Sequence, residues 1–176
     1  MTIPTVAFAT SYWNGEHLQS IKRQPSTPAI LPLDAFRCEF MGHNWGVPAE
    51  LLWYPSDPFS RREPMGCALL HDVFVHPQRV GDIDISSRLW KAMDSLGRRG
   101  ARWLPYWENR EFVGTDSDDL KVSIYNRPGH GLIAVVANMG SQRLEPLVKF
   151  DLAKLGQGEK LVGVDVLSGR PVECEG

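Results

Sequence analysis

Three short stretches of the chain combine carboxylates, imidazoles and aromatic rings in a way that suits carbohydrate chemistry. The first is YWNGEH at residues 12–17, the second spans residues 53–57, and the third is the pair at positions 71 and 72. The candidate residues are Trp13, Asn14, Glu16 and His17 in the first stretch, Trp53, Tyr54 and Asp57 in the second, and His71 and Asp72 in the third. An aromatic ring can stack on the C–H face of a sugar, and the polar side chains can then hydrogen-bond its hydroxyl groups.

Cleavage of a glycosidic bond commonly needs a carboxylic acid and a carboxylate on either side of that bond. We therefore predict Glu16 and Asp72 as the catalytic pair and the other seven candidates as substrate-binding residues. The sequence does not assign the acid, the base or the nucleophile. Their separation in the folded protein would bear on inverting or retaining chemistry.

Each stretch also has an ordinary structural interpretation, and the sequence leaves both open. Glu16 can belong to a solvated polar turn, Trp53 can close an apolar core, and Asp57, which precedes a proline, can shape a turn. The pair at positions 71 and 72 lies inside an apolar run, where charge is costly unless it is partnered. It is therefore either a functional pair or part of a buried structural network.

The first hundred residues alternate between strand-like and helix-like segments. The predicted strands span residues 5–13, 49–55 and 66–77, and the predicted helices span residues 33–46 and from 82 or 84 to about 96. Apolar strands separated by helices are typical of a parallel sheet, which binds ligands at the carboxyl ends of its strands. We therefore expect the three stretches, with His76 further along the third, to meet at one edge of the sheet.

After Ala101 the sequence is typical of antiparallel β-structure. Short strand candidates follow one another at near-regular spacing, with hairpin-type turns at residues 126–131 and 167–170. This pattern predicts a small antiparallel β-sandwich. The predicted domain boundary divides the chain into residues 1–102 and 103–176.

Composition and motifs exclude several classes of function. The net charge is −2 with acids and bases interspersed, which predicts no binding to nucleic acid or to an anionic membrane. The three cysteines have no metal-binding spacing, and no phosphate-binding loop, nucleophile elbow or zinc-protease motif is present, so we predict no metal and no cofactor. No apolar run approaches the ~20 residues of a membrane helix, so the default prediction is cytoplasmic. A secreted or periplasmic location is the alternative left open if an N-terminal part is missing.

The order of these motifs resembles glycoside hydrolase family 123-like proteins. YWNGEH, FRCEFMGHNWGVPAELLWY, LLHDVFVHP and ARWLPYWEN resemble the last strands of the TIM-barrel domain of such proteins. The tail, with LIAVVANMG, LVKFDLAKLG and KLVGVDVLSGRPV, resembles the β-sandwich that follows the barrel in many glycosidases. The resemblance spans nearly the whole chain. It implies a partial (β/α) barrel of about three parallel strands and two helices, followed by the β-sandwich.

The implied function is carbohydrate binding, with possible O-glycosyl hydrolysis by paired carboxylates. A complete barrel needs eight strands and about 250 residues, so three strands imply either a portion of a larger protein or completion by a partner chain or by self-association. Two alternatives stay open. The chain can be a non-catalytic carbohydrate-binding or assembly module, or a structural subunit that docks on a partner.

Overall fold

A computed structural model describes residues 8–15, 18, 31–41, 46–52, 62–76 and 83–174 of the chain. In its first part the elements are β1 (Tyr12–Asn14), α1 (Leu33–Phe36) with a π-helix (Arg37–Met41), β2 (Ala49–Leu52), α2 (Arg62–Leu70) and β3 (Phe74–His76). In its second part they are α3 (Ile83–Leu96), a 3-10 helix (Arg98–Gly100), β4 (Arg102–Leu104), β5 (Val113–Thr115), β6 (Leu120–Arg127), β7 (Gly131–Asn138), β8 (Val148–Phe150), β9 (Gly163–Val164) and β10 (Pro171–Val172).

Within the described residues, three parallel strands form one sheet in the order β1–β2–β3. Tyr12 pairs with Ala49, and Leu51 pairs with Val75, so the register is continuous across the sheet. Successive side chains of a strand point to opposite faces. One face therefore carries Tyr12, Ala49 and Leu51, all buried, and it packs on Phe36 and on α2. The prediction of three parallel strands is confirmed.

Among the described residues, the first strand begins later than predicted, whereas the second begins at the predicted residue. Of the predicted strand at 5–13, residues 8–11 are described and are not strand, and pairing begins at Tyr12. The second strand begins at Ala49, as predicted. Hydrogen bonding to the neighbouring strand, which the local pattern does not encode, sets the limits of β1.

The predicted third strand at residues 66–77 is wrong over its first half. Residues 66–70 belong to α2, and only β3 at residues 74–76 is extended. A short apolar run does not distinguish a strand from a helix that is buried on several sides. Here α2 is such a helix: Ala68 packs in the core under the parallel sheet, while Leu69 and Leu70 pack with residues of the antiparallel half. The predicted pair of helices is accordingly joined by a third.

The other two helices follow their sequence patterns more closely. The segment predicted as a helix at 33–46 starts at Leu33 and continues to Met41 as a π-helix, with Phe36 and Phe40 stacked at 4.4 Å between ring centroids. Residues 42–45 of this predicted helix lie outside the described residues. In α3 the apolar residues Leu89, Met93 and Leu96 recur at helical spacing and are buried, and the helix ends at a left-handed glycine, Gly97, with φ of 70°.

The second half is antiparallel, as predicted. Among the residues described, β4, β6 and β7 form one sheet, and β5–β8 and β9–β10 form two-stranded sheets. The predicted turns at 126–131 and 167–170 connect β6 to β7 and β9 to β10. An apolar core that includes Ile124 and Leu155 is shared by the β4–β6–β7 sheet and the β5–β8 pair.

Helix α2 joins the two halves of the molecule. The hydroxyl of Ser123 on β6 donates a hydrogen bond of 2.7 Å to the carbonyl oxygen of Leu70, the last residue of α2. Ser123 has no solvent exposure, so this bond provides an acceptor for its buried hydroxyl, which also accepts a hydrogen bond from the backbone N–H of Tyr106. The antiparallel half therefore fixes the position of the segment that leads from α2 into β3.

Candidate functional site

The face of the parallel sheet opposite the core carries polar and aromatic side chains. Trp13 on β1 pairs directly with Glu50 on β2, and Glu50 pairs with Phe74 on β3. His76 lies two residues beyond Phe74 on the same strand. Together with Ser11 these residues form a group that we call the Trp13–Glu50 cluster: Ser11, Trp13, Glu50 and His76. They share one face because strand side chains alternate and the register aligns them.

Trp13 is the exposed member of the Trp13–Glu50 cluster. Its side chain is 53% exposed, although large apolar side chains are usually buried. The imidazole of His76 lies against the indole, with ring centroids 4.3 Å apart and the planes tilted by 33°. The indole is thus supported on one side and keeps most of its remaining surface accessible.

Glu50 is the carboxylate of the Trp13–Glu50 cluster. Its Oε1 accepts a hydrogen bond of 2.6 Å from the hydroxyl of Ser11. Its Oε2 lies 3.8 Å from Nδ1 of His76, which is an ion pair when the imidazole is protonated. The side chains of Glu50 and His76 are 30% and 28% exposed, so the carboxylate is partly shielded and still reaches solvent.

Asn14 ends β1 and points to the other face. Its side-chain amide donates a hydrogen bond of 2.8 Å to Oε1 of Glu39 on the π-helix, and its Oδ1 accepts one of 2.9 Å from the backbone of Gly15. Gly15 has φ of 113°, and a Cβ there would lie 2.8 Å from Leu51, so only glycine fits this turn. The chain therefore turns sharply at Gly15, directly after β1, within the predicted stretch at residues 12–17. Burial, assisted by the charge of Glu39, raises the pKa of the neighbouring Tyr12.

His71 and Asp72 do not follow the third strand. They lie between α2 and β3, at the amino end of the parallel sheet, whereas Trp13 and Asn14 lie near the carboxyl end of β1. The prediction that all three stretches meet at one edge is therefore wrong for this pair. The cause is the helix at residues 66–70, which places the pair before β3.

Asp72 ends α2 in a left-handed conformation, with φ of 57°, and no other described non-glycine residue has a positive φ. Its backbone N–H donates a hydrogen bond to the carbonyl oxygen of Leu69, and the N–H of Val73 donates one to the carbonyl oxygen of Ala68. This pair of hydrogen bonds is the Schellman motif of a helix C-terminus. Aspartate tolerates this conformation better than most residues with a side chain. The pair at 71 and 72 is thus a helix end with a defined backbone requirement.

The carboxylate of Asp72 is engaged by two donors. Its Oδ1 lies 2.5 Å from a guanidinium nitrogen of Arg98 and accepts a hydrogen bond of 2.8 Å from the hydroxyl of Tyr125 on β6. The guanidinium of Arg98 also lies over the ring of Phe74, 4.5 Å from its centroid. Burial, with the charge of Asp72 and its hydrogen bond, raises the pKa of Tyr125. The predicted catalytic carboxylate is therefore part of a network that ties α2 to the antiparallel half.

His71 is buried in an aromatic environment, with 1% of its surface exposed. Its Nδ1 lies 2.6 Å from the carbonyl oxygen of Cys67, which makes this nitrogen the donor. Its ring packs edge-on against Tyr106 and at a tilt of 36° against Phe36. Burial lowers the pKa of His71, so the imidazole is neutral at physiological pH. A cavity of about 110 Å³ adjoins it, lined also by Trp103.

Five predicted site residues lie outside the described part of the chain. They are Glu16, His17, Trp53, Tyr54 and Asp57. Their roles, and the pairing of Glu16 with Asp72, remain predictions. Glu50 is not among the residues predicted from the sequence, although one signal is present: a carboxylate between Ala49 and Leu51 interrupts an apolar strand.

Across the described ranges, no three His, Cys, Asp or Glu side chains lie close enough together to hold a metal ion. No helix in the part of the chain described by the structure is long and apolar enough to cross a membrane.

Residues 85–167 match the family described as Glycoside hydrolase 123, C-terminal domain. The match starts within α3 and extends through β9, so it includes the β4–β6–β7 sheet and the β5–β8 pair, but neither β10 nor the parallel sheet. No curated protein and no solved structure shows significant similarity to the chain. The fold class is thus a mixed one, with a three-stranded parallel sheet followed by small antiparallel sheets. Its C-terminal part is glycoside hydrolase 123-like, as the sequence motifs predicted.

Proposed function

We propose that this protein is the C-terminal portion of a glycoside hydrolase-like protein and binds carbohydrate at the Trp13–Glu50 cluster. The observation that carries the proposal is the exposed indole of Trp13 beside the carboxylate of Glu50 on a parallel sheet. The family match of residues 85–167 supplies the context of glycoside hydrolysis. In this proposal the three parallel strands belong to a (β/α) barrel and the antiparallel sheets form the β-sandwich behind it.

The chemistry of the Trp13–Glu50 cluster favours a sugar over an apolar ligand. Trp13 offers a flat apolar surface, while Glu50, Ser11 and His76 offer groups that exchange hydrogen bonds with hydroxyls. A pyranose has both an apolar C–H face and a rim of hydroxyl groups. Asn14 points to the other face and is not part of this surface. Trp53 and Tyr54, which follow β2 in the sequence, are kept as proposed binding residues.

Carbohydrate binding is favoured over hydrolysis as the function of this chain by itself. The predicted pair of carboxylates is Glu16 and Asp72, and Asp72 already binds Arg98 and Tyr125 at the amino end of the sheet. The match to a glycoside hydrolase family keeps hydrolysis as the second candidate. His17 and Asp57 are further residues proposed for that version of the site, whereas His71 is buried at the amino end of the sheet.

A partner that completes the sheet is part of the proposal. In the described residues β1 and β3 each pair with β2 alone, so each has one edge without a strand. Such edges readily pair with further strands. Either the remainder of a barrel in the same protein or a second chain would cover them.

Replacing Trp13 by alanine tests the proposed site. Truncating an aromatic residue at the centre of an interface costs about 2 kcal/mol or more, which is roughly a 30-fold loss of affinity. We expect Trp13→Ala to lose binding on an array of immobilised glycans. Trp90→Ala is the matched control, because Trp90 is 44% exposed on α3 and should retain binding.

The same proteins separate binding from hydrolysis. Chromogenic glycosides incubated with wild type and with Glu16→Gln report whether the chain cleaves a glycosidic bond and whether Glu16 takes part. Equal activity in the two proteins removes Glu16 from the mechanism. Binding without cleavage supports the non-catalytic function, and wild type that neither binds nor cleaves any glycan refutes the proposal.

A further inference from the structure

We propose that Glu50 is a ligand-binding carboxylate that accepts hydrogen bonds from two neighbouring hydroxyl groups of a neutral sugar stacked on Trp13. Ser11 holds this carboxylate in place, and His76 supports both the carboxylate and the indole. The inference rests on the proposed function and adds to it a recognition residue and a class of sugar.

The position of Glu50 follows from the strand register. Glu50 is the direct partner of Trp13 across β1 and β2, and neighbouring strands lie about 4.8 Å apart. Side chains of direct partners project from the same face of the sheet. A sugar ring placed on the indole therefore has its edge beside the carboxylate.

The carboxylate has unused capacity to accept hydrogen bonds. An ionised carboxylate offers about four lone-pair positions on its two oxygens. Ser11 occupies one of these on Oε1, and Nδ1 of His76 lies 3.8 Å from Oε2, which is longer than a hydrogen bond. No other described residue donates a hydrogen bond to Oε2. With 30% of the side chain exposed, this oxygen remains accessible to a ligand.

Asp72 provides an internal comparison. Its carboxylate binds Arg98 and Tyr125, and these contacts account for it as a structural group. Glu50 interrupts the apolar residues of the central strand, and in the described residues it has one hydrogen bond, from Ser11. A glutamate is uncommon inside a strand, so a role beyond folding is the simpler explanation for its presence.

The charge of Glu50 restricts the ligand. Two adjacent hydroxyls can donate to the two oxygens of one carboxylate, and such charge-assisted bonds are stronger than neutral ones. A uronic acid or a sulfated sugar would place a second negative charge beside Glu50, which opposes binding. The site should therefore select neutral pyranosides over their acidic counterparts.

The test compares wild type with Glu50→Gln in the full chain. The probes are methyl β-D-glucopyranoside, methyl β-D-galactopyranoside and the corresponding uronic acids, and binding is measured by saturation-transfer NMR and calorimetry. Glutamine keeps the shape of the side chain and loses the charge. We expect the affinity for the neutral glycosides to fall at least about fivefold and the preference over uronic acids to shrink.

Controls separate failure of this inference from failure of the proposed function. Glu145→Gln, at an exposed loop position, should bind like wild type. If Trp13→Ala loses binding while Glu50→Gln retains it, the role of Glu50 is refuted and the proposed function stands. If Trp13→Ala also binds like wild type, both are overturned. If wild type binds glycans on the array but none of these monosaccharide probes, this inference alone is overturned.

A second variant covers the case in which Glu50→Gln does not fold. Ser11→Ala leaves the carboxylate and removes the hydroxyl that holds it, so the affinity should fall about twofold. Thermal unfolding of each variant identifies those that are folded. Unchanged affinity in folded Ser11→Ala refutes the positioning role of Ser11.

Discussion

Replacing Asp72 with glycine, asparagine or alanine separates its side-chain contacts from its backbone conformation. The residue has φ of 57°, and its carboxylate binds Arg98 and the hydroxyl of Tyr125. Asparagine keeps a side-chain oxygen and tolerates the left-handed conformation. Glycine loses the contacts and adopts this conformation without strain. Alanine loses the contacts and is also strained.

The contacts and the backbone contribute separable amounts. Loss of the acceptor for the buried hydroxyl of Tyr125 and of the partly exposed ion pair with Arg98 costs about 3 kcal/mol in the free energy of unfolding. A side chain at positive φ costs 1–2 kcal/mol, and the entropy of glycine offsets part of this, so alanine should be about 1 kcal/mol less stable than glycine. The expected order of stability is wild type, asparagine, glycine, alanine.

Urea unfolding followed by tryptophan fluorescence measures these differences in the free energy of unfolding. Asp94, which is exposed on α3, is the matched control, because in a helix alanine should be more stable than glycine by up to about 1 kcal/mol. The two positions should therefore show opposite orders of alanine and glycine. If alanine at position 72 is as stable as glycine, the left-handed helix end is not the reason for this residue.

Two further predictions concern buried groups beside the same helix end. Burial lowers the pKa of His71 in the folded protein, so below pH ~6.5 the unfolded chain binds one proton more than the folded chain does. The free energy of unfolding should therefore fall as the pH decreases, by up to about 1.4 kcal/mol per pH unit. In urea unfolding between pH 5 and 7.5, His71→Gln should lose this pH dependence of the free energy of unfolding, and His130→Gln should keep it. Equal pH dependence in the two variants would contradict the assignment of the effect to His71. Burial raises the pKa of Cys67 to about 12, so iodoacetamide at pH 8 should label the exposed Cys38 and Cys174 and reach Cys67 only in denaturant. Peptide mass spectrometry measures this, and labelling of native Cys67 as fast as that of Cys174 would refute it.

Periodic segments were predicted well because their signal is local. In α3 apolar residues recur at helical spacing and a glycine follows the last of them, which predicts both the helix and its C-terminus. Both signals lie within a few helical turns of the sequence. The long hairpin of β6 and β7 was equally clear from alternation and from its turn at residues 128–130.

Apolar segments that contact two layers were predicted poorly. Residues 66–70 are apolar on every side because α2 lies between the parallel sheet and the antiparallel half. Such a run has no period that distinguishes a helix from a strand. The misplacement of His71 and Asp72 follows from this one error.

The sequence by itself determined the order of a parallel and an antiparallel half, the family resemblance of the tail, and the presence of aromatic and acidic residues suited to a sugar. Only the tertiary structure decided which of them are neighbours. Strand register places Glu50 beside Trp13. The packing of α2 against β6 brings Asp72 into contact with Arg98 and Tyr125. The physical reason is that register and packing depend on residues distant in the chain, whereas a sequence pattern reports what one segment prefers.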